Sequence, residues 1–125
     1  MPILDVEIVC TSPAEFNSTS AAAITQAVGK VLSCAPSRVW VRLRYLDYKC
    51  YAENEVLLSV DALPVFVTVM HAHLPVGEAL GVEALDIAHA VAQVVGRSAE
   101  RVHVEYAPAG AGRQAFGGVL VKAQS

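Results

Sequence analysis

The feature that most constrains the fold of this chain is an internal repeat with an offset of 63 residues. Apolar residues recur in the first half at the spacing of one helix face. These residues are Ile24, Ala27, Val28, Val31 and Leu32, and they align with Ile87, Ala90, Val91, Val94 and Val95. Downstream, Arg38-Val39 aligns with Arg101-Val102. A helix stripe and a strand pattern that repeat together indicate a tandem duplication of one β-α-β unit.

A proline heads the first strand of each unit. Pro2 precedes an alternating run up to Cys10, and Pro64 precedes a run up to His71, so the two prolines align with one residue of slip. Proline suits a first strand position because its missing N–H leaves no ladder bond unmade. The simplest interpretation of Pro2 is therefore that it only marks the start of a strand and has no chemical role.

Cap residues and alternation predict the remaining elements. The first helix is expected to start at Ser12-Pro13 and to run to about Ser33; the second is expected from about Val82 to Val95, ending at Gly96. Further strands are predicted at Arg38 to Asp47, Arg101 to Tyr106 and Gly117 to Val121, with a possible edge strand at Glu55 to Val60.

A crossover helix joins two parallel strands with a right-handed connection. We therefore predict a single α+β domain over residues 1–125, made of two repeats at about 2–60 and 63–122. Its expected architecture is a four-stranded mixed sheet with both helices on one face.

The other face of this sheet is predicted to stay uncovered within one chain. It should carry a set of polar and aromatic side chains, namely Trp40, Arg42, Arg44, His103 and Glu105. Parallel strands normally have both faces covered, and the chain is 54% hydrophobic but only 17% charged. We therefore expect other subunits, related by closed symmetry, to cover this face.

Charge and cysteine content exclude several classes of function. A net charge of −3 without a Lys/Arg run argues against nucleic acid and anionic membranes as partners. No apolar run is long enough to span a membrane, and Asp5 and Glu7 interrupt the apolar start, so no signal peptide is expected. The three cysteines share no metal-ligand spacing, which predicts free thiols in the cytoplasm and no metal or cofactor.

The start Met1-Pro2-Ile3, the duplicated unit, the run from Glu100 to Tyr106 and the motif Phe116-Gly117-Gly118 resemble the tautomerase superfamily. Its members include 4-oxalocrotonate tautomerase, macrophage migration inhibitory factor and malonate semialdehyde decarboxylase. The resemblance implies a homotrimer whose sheets face a central barrel, with Pro2 in a pocket at a subunit boundary. It also implies that Phe116 forms a pocket wall.

The resemblance further implies that His103 and Glu105 lie where relatives place a Tyr, Arg or Asn beside the proline. The chain departs from the family at its arginines. Where several relatives carry an arginine after the first strand, this chain has Cys10-Thr11-Ser12, and another family arginine is replaced by Trp40. Arg42 and Arg44 could supply the cation by their location, as substrate-binding residues beside Trp40 and Phe116.

Removal of Met1 would make Pro2 a free secondary amine. Burial and a nearby cation would lower the pKa of this amine toward the range of a general base. The function expected from this site is proton transfer on a small 2-oxo or enol carboxylic acid, as in a tautomerase.

Two alternatives remain open at this point. With a protonated Pro2, the site would suit a lyase or hydratase of the decarboxylase or dehalogenase type, in which Glu105 activates a water. The other alternative is a trimeric binding protein without catalysis. His103 could polarise a carbonyl, but His103, Glu105 and the arginines are also compatible with interface packing. His71 and His73 share a strand face, and two ligands without a third favour a structural role.

Overall fold

The computed structural model describes residues 2–12 and 20–123. Its regular elements are β1 (Ile3–Cys10), α1 (Ser20–Val31), β2 (Trp40–Asp47), β3 (Val65–Met70), α2 (Glu78–Val95), β4 (Val102–Tyr106), β5 (Ala115–Phe116) and β6 (Val119–Leu120). Short 3₁₀ turns lie at Tyr48–Cys50, Val60–Ala62 and Ala99–Arg101. Neither described helix is long and apolar enough to cross a membrane.

The main sheet has the strand order β2-β1-β3-β4. The β1/β2 and β3/β4 pairs are parallel, and the two central strands β1 and β3 pair antiparallel. Each parallel pair is joined across its helix, which is the β-α-β connection predicted for each repeat. The predicted four-stranded mixed sheet of two units is therefore confirmed.

The strand register shows how far the repeat extends. Ile3 lies opposite Trp40 in the first unit, and Phe66 lies opposite His103 in the second. Phe66 follows Ile3 by 63 residues, and His103 follows Trp40 by the same number. The structural counterpart of Pro2 is therefore Val65, and the one-residue slip predicted between Pro2 and Pro64 is wrong. A slip of one residue would turn every β3 side chain to the opposite sheet face. Burial of the alternate residues of β3 fixes the register instead.

The core lies between the sheet and the two helices. The β1 side chains that point toward the helices are fully buried, as are those of β3 and the inner faces of α1 and α2. These 0% exposed residues are Leu4, Val6, Ile8, Val65, Val67, Val69, Ile24, Val28, Ile87 and Val91. Both helices thus cover one sheet face, as the apolar stripes predict.

Three helix boundaries differ from the prediction or cannot be compared with it. The predicted start at Ser12-Pro13 reaches into residues 13–19, which lie outside the described residues. The helix α1 ends at Val31 because Ser33 adopts a left-handed φ of 53° soon afterwards. The helix α2 starts at Glu78, earlier than expected, directly after Gly77 at φ 63°. Gly96 at φ 78° ends α2 as predicted.

Three strand predictions need correction. The segment from Glu55 to Val60 is not an edge strand, since its part of the chain forms only one isolated bridge, between Glu53 and Val56, and Leu57 is fully exposed. The strand expected from Gly117 to Val121 is confined to β6, which pairs with β5 in a separate hairpin and does not join the main sheet. The strand β2 starts at Trp40 and not at Arg38, because residues 36–37 still form a turn.

Candidate functional site

The predicted side chains do lie on the open face of the sheet. Their neighbours on β2 and β4 alternate with them and pack against the core, as shown by Val41, Val102 and Val104. The predicted side chains form two groups on opposite edge strands of the sheet. Trp40, Arg42 and Arg44 lie on β2, and His103 and Glu105 lie on β4. Three strand spacings, roughly 14 Å, separate these groups. Within one chain, His103 and Glu105 therefore do not meet Trp40. They do not meet Pro2 either, since Pro2 precedes β1, two strands from β4, and His103 is level with Glu7.

Pro2 is buried at the very start of β1. Its side chain is less than 2% exposed, and its carbonyl oxygen accepts a hydrogen bond of 3.1 Å from the Trp40 amide. Burial disfavours a charged amine, so a free amino group at this position would have a lowered pKa. Trp40 and Pro2 are thus direct neighbours across the parallel β1/β2 pair.

Trp40 also lines a cavity of about 300 Å³, and Pro2 is not among the residues that line it. Its wall is mostly apolar and is formed by the residues Trp40, Phe116, Val119, Leu120 and Val121, with Ser37 and Arg38 at one side. The Trp40 and Phe116 rings pack edge-to-face at a centroid distance of 4.7 Å. Such a pair is a favourable aromatic arrangement, and it places the Trp40 and Phe116 rings in contact.

The hairpin β5–β6 brings Phe116 to this cavity. Gly117 and Gly118 form its two-residue turn with φ values of 55° and 85°. Positive φ at both central positions is the requirement of a tight hairpin turn, which explains the double glycine. Hydrogen bonds from the Gly112 amide to Val121 O (2.6 Å) and from the Val121 amide to Gln114 O (2.7 Å) anchor the hairpin.

Arg42 and Arg44 lie on the open face beside Asp5. Arg42 donates two hydrogen bonds to the Asp5 carboxylate, from Nε at 2.6 Å and from Nη2 at 2.8 Å. Arg44 Nη1 is 3.8 Å from the same carboxylate. The hydrogen bonds from Arg42 lower the pKa of Asp5 below its ordinary value, and they raise the pKa of Arg42. Within the chain, both arginines thus contact the carboxylate of Asp5 on the adjacent strand β1.

His103 and Glu105 have different surroundings on β4. The His103 ring packs against Phe66 at a centroid distance of 5.5 Å, and Thr68 Oγ1 donates to Glu105 Oε1 at 3.1 Å. The Thr68–Glu105 pair is the counterpart, in the second repeat, of the Asp5–Arg42 pair. A shallow groove of about 420 Å³ connects the two halves of this face and is lined by Arg44 and Glu105 among others.

The loop after β2 covers the β4 side of the face. The Tyr51 ring packs on Phe66 at 5.8 Å, and Tyr51 OH donates to Glu53 at 2.7 Å. Arg101 Nη2 donates to the same carboxylate at 2.6 Å. The hydrogen bonds from Tyr51 and Arg101 lower the pKa of Glu53. This network holds residues 51–53 over the start of the second repeat.

His71 belongs to a separate network at the far end of β3. Its Nε2 lies 2.9 Å from Glu83 Oε2, and Tyr106 OH donates to the same oxygen at 2.7 Å. Burial and the bond to Glu83 raise the pKa of Tyr106 well above its ordinary value. This network ties the ends of β3 and β4 to α2. In the described part of the chain no three His, Cys, Asp or Glu side chains are grouped as metal ligands.

The architecture described above is the tautomerase/MIF fold. Neither a family model nor a curated protein matches the sequence. Among solved structures, the macrophage migration inhibitory factor from Trichinella spiralis superposes with a TM-score of 0.70 at 14% identity, over 94% of this chain and 98% of that one. The F6 fused 4-OT asymmetric trimer superposes at 0.68 and 15% identity, over 94% of both chains.

A third similar structure is the FG41 malonate semialdehyde decarboxylase inhibited by 3-bromopropiolate. It superposes with a TM-score of 0.64 at 18% identity, over 92% of this chain and 90% of that chain. These likenesses cover nearly the whole chain, and at such low identities they establish its fold. The resemblance drawn from the sequence is therefore confirmed at the level of the fold.

Sequence reasoning did not assign a role to Arg38 or to the hairpin residues Val119 and Leu120, which also line the cavity. The hairpin carries no periodic pattern long enough to place it. For Arg38 a signal did exist, because the repeat aligns it with Arg101.

Proposed function

We propose that this protein is an enzyme of the tautomerase type that moves a proton on a small 2-oxo or enol carboxylic acid. Pro2, freed by removal of Met1, is its general base and acid. The observation that supports this proposal is the burial of Pro2, whose carbonyl accepts a hydrogen bond from the amide of Trp40, while Trp40 and Phe116 line a cavity of about 300 Å³. A proton-transfer site of this kind needs an amine, an aromatic wall and a cavity at one strand end.

The reaction is a transfer of protons without redox change. In ketonisation, the enol O–H loses its proton while the adjacent carbon gains one, and a secondary amine can accept the first and deliver the second. This requires an amine whose pKa lies near the working pH and which lies within hydrogen-bond reach of the substrate. Burial at this position would disfavour the charged form of a free Pro2 amine.

We propose that the protein works as a homotrimer. In the described part of the chain no α-helix covers the open sheet face, and the fused 4-OT protein of the same fold is a trimer. Two strand spacings, roughly 10 Å, separate β1 from β4, and His103 is level with Glu7 and not with Pro2. His103 and Glu105 could therefore reach a proline site only in a neighbouring subunit. There His103 would polarise the substrate carbonyl and Glu105 would orient the amine. A role of Arg42 and Arg44 in binding the substrate carboxylate stays a prediction.

A Pro2-dependent lyase or hydratase is the second candidate. The observation in its favour is Glu105, whose carboxylate lies on the open face with one hydrogen bond from Thr68, so lone pairs remain to activate a water. The likeness to a malonate semialdehyde decarboxylase is compatible with this chemistry. In that case Pro2 would act in its protonated form.

A chain with one leucine inserted before Pro2 tests the proposal. Methionine is retained before leucine, so Pro2 keeps its buried ring but becomes an amide without a basic nitrogen. We expect the rate of phenylenolpyruvate ketonisation to fall by a factor of about 10² to 10⁴, the usual contribution of a general base. Intact mass verifies both N-termini, and an unchanged urea midpoint verifies the fold.

Retention of the full rate in the inserted chain would refute the role of Pro2. Pro2→Ala is a weaker variant, because it leaves a primary amine and removes part of a buried ring. A processed wild-type protein that is inactive toward enol acids but decarboxylates or hydrates a 3-carbon acid would favour the lyase. A processed protein that is inactive in all these assays would contradict both catalytic proposals.

A further inference from the structure

The register of β1 and β3 places His71 beside Pro2. The final pair of this antiparallel ladder joins Ile3 to Met70, so one step further along both strands joins Pro2 to His71. Residues directly opposite each other in such a ladder point to the same sheet face, with Cβ atoms roughly 4.5–5.5 Å apart. The pyrrolidine ring of Pro2 and the imidazole of His71 are therefore neighbours on the face that the helices cover.

The strands keep this geometry beyond their last pairs. At the opposite end of the ladder, one step beyond its last pair, the Val9 amide donates to Pro64 O at 3.1 Å. At the near end, Pro2 O still accepts from the Trp40 amide at 3.1 Å. Pro2 is less than 2% exposed, and the side chain of His71 is 14% exposed. Both rings thus lie largely out of water at the same end of the sheet.

Glu83 holds the imidazole of His71 in one orientation. His71 Nε2 lies 2.9 Å from Glu83 Oε2, and Tyr106 OH donates to the same oxygen at 2.7 Å. An ionised carboxylate accepts hydrogen bonds and donates none, so Nε2 carries the proton of the neutral imidazole. Burial and the bond to Glu83 raise the pKa of Tyr106, so its hydroxyl stays a donor. The acceptor of the ring is then Nδ1, which has no hydrogen-bond partner among the described residues.

The side chains that contact the imidazole come from two other elements. Glu83 comes from α2, and Tyr106, whose ring stacks on His71 at a centroid distance of 6.2 Å, comes from β4. Arg113 lines a cavity of about 180 Å³ together with Met70. Met70 directly precedes His71, so its side chain points to the open sheet face. The cavity of Arg113 therefore lies with the open face and not with the imidazole.

A freed Pro2 amine needs an acceptor of this kind. A secondary amine has one N–H and one lone pair, so the lone pair is directed at a substrate only if the N–H is held elsewhere. When the amine takes up a proton it becomes a buried cation, which is costly unless it is hydrogen-bonded. A base whose orientation is fixed by a third group is a recurring arrangement in active sites. The imidazole of His71, oriented by Glu83, meets both needs.

We infer that His71 is the positioning residue of the Pro2 amine, and that its Nδ1 accepts a hydrogen bond from the Pro2 nitrogen. The lone pair of that nitrogen is then left for the substrate. The hydrogen bond persists when the amine is protonated, because the ammonium form has two N–H groups, and no covalent bond changes at His71. This inference rests on the proposed function, since it requires Pro2 to be a free amine, but it can be tested without turnover.

The test is an NMR titration of the Pro2 nitrogen in protein labelled with ¹⁵N-proline. Met1 is removed with a methionine aminopeptidase, and intact mass verifies the removal. Among the six prolines, Pro2 alone then has a nitrogen that titrates. In His71→Gln the amide nitrogen can still donate to Glu83, but no acceptor remains in the place of Nδ1. We expect the pKa of the Pro2 amine to fall, with about a tenfold weaker affinity for the proton, because a hydrogen bond to a charged group is lost.

His71→Asn is the conservative rescue. The oxygen of the shorter amide lies about where Nδ1 lies in histidine, so it restores an acceptor for Pro2 while it gives up the contact with Glu83. The proton affinity of the Pro2 amine should therefore be closer to that of wild type in His71→Asn than in His71→Gln. A network that served only the fold would give the opposite order, because it is His71→Asn that breaks it.

His73→Gln is the matched control. His73 is exposed and lies two residues further along the chain, beyond the start of β1, so the same substitution removes an imidazole that is not a neighbour of Pro2. The Pro2 nitrogen should titrate there as in wild type. Urea midpoints equal to that of wild type should show that the variants have kept the fold.

Several results would overturn the inference. These are a Pro2 nitrogen that titrates alike in wild type and His71→Gln, a fall in proton affinity of the same size in His73→Gln, and a larger fall in His71→Asn than in His71→Gln. Failure of the proposed function looks different, since the Pro2 amine would then titrate with the same dependence on His71 while the processed protein turned over no enol acid. In an active protein, His71→Gln should lower kcat with little change in KM, because His71 acts on the base and not on the substrate.

Discussion

Replacing Ile24 or Ile87 by alanine should lower the free energy of unfolding by the same amount, about 3 kcal/mol. The two side chains are equivalent in the repeat, and each is 0% exposed in the core between the helices and the sheet. If both units share one core through their duplicated geometry, the same truncation at equivalent positions has the same cost.

The magnitude follows from the atoms removed. An Ile→Ala change deletes three buried carbons, and the transfer free energy of about 0.8 kcal/mol per group gives about 2.4 kcal/mol. The cavity left behind adds to this value because the surrounding residues relax only in part. Since a domain has about 5–15 kcal/mol of stability in total, each single variant should still fold.

Urea unfolding followed by circular dichroism measures the effect. Protein concentration must be held constant, because assembly would contribute to apparent stability. Val31→Ala is the control, since Val31 lies at the end of the same stripe but is 37% exposed, and its truncation should cost less than about 1 kcal/mol. A cost near 3 kcal/mol for Ile87→Ala but under about 1 kcal/mol for Ile24→Ala would refute a shared core built by duplication.

Two further predictions concern pH. The hydrogen bonds from Arg42 lower the pKa of Asp5, so the pair stabilises the fold above the ordinary Asp value of about 3.9 and loses this contribution as pH falls through the lowered pKa. Asp5→Asn should therefore flatten the fall of the urea midpoint below pH 4, and an unchanged slope would contradict the pairing. Tyr106 should ionise above the ordinary value of about 10, since burial and Glu83 raise its pKa and stabilise the neutral form until pH exceeds that range. In Tyr106→Phe, alkaline titration at the tyrosine absorbance should lose one late-ionising group of the four tyrosines, while Tyr51, whose pKa is also raised by burial, still ionises late. A titration curve unchanged from that of wild type would contradict the assignment.

Elements with a clear period could be predicted from the sequence. The stripe that contains Ile24 and Val28 repeats in the stripe that contains Ile87 and Val91, and all four residues are fully buried. The predictions that were wrong concerned segments without a periodic pattern. The segment from Glu55 to Val60 is apolar but forms no strand in the structure, where the only bridge described for it joins Val56 to Glu53.

The site could be predicted only in part. Phe116 was expected as a pocket wall by resemblance, and its contact with Trp40 depends on a hairpin turn that local chemistry favours at Gly117-Gly118. The pairing of Asp5 with Arg42 depends on the parallel register of β1 and β2, which brings together residues 37 positions apart. No local pattern specifies that partner.

The sequence by itself therefore determined the duplication, the two β-α-β units and the sheet face on which each side chain lies, because all three follow from periodicity along the chain. Only the tertiary structure decided which cations remain available. Arg38 and Arg101 are equivalent in sequence, yet the connector after β2 supplies Glu53 and the Ala62 carbonyl to Arg101, while the C-terminal hairpin places an apolar cavity beside Arg38. The physical reason is that a guanidinium binds whatever acceptors lie within reach, and those acceptors come from aperiodic segments whose position depends on the whole fold.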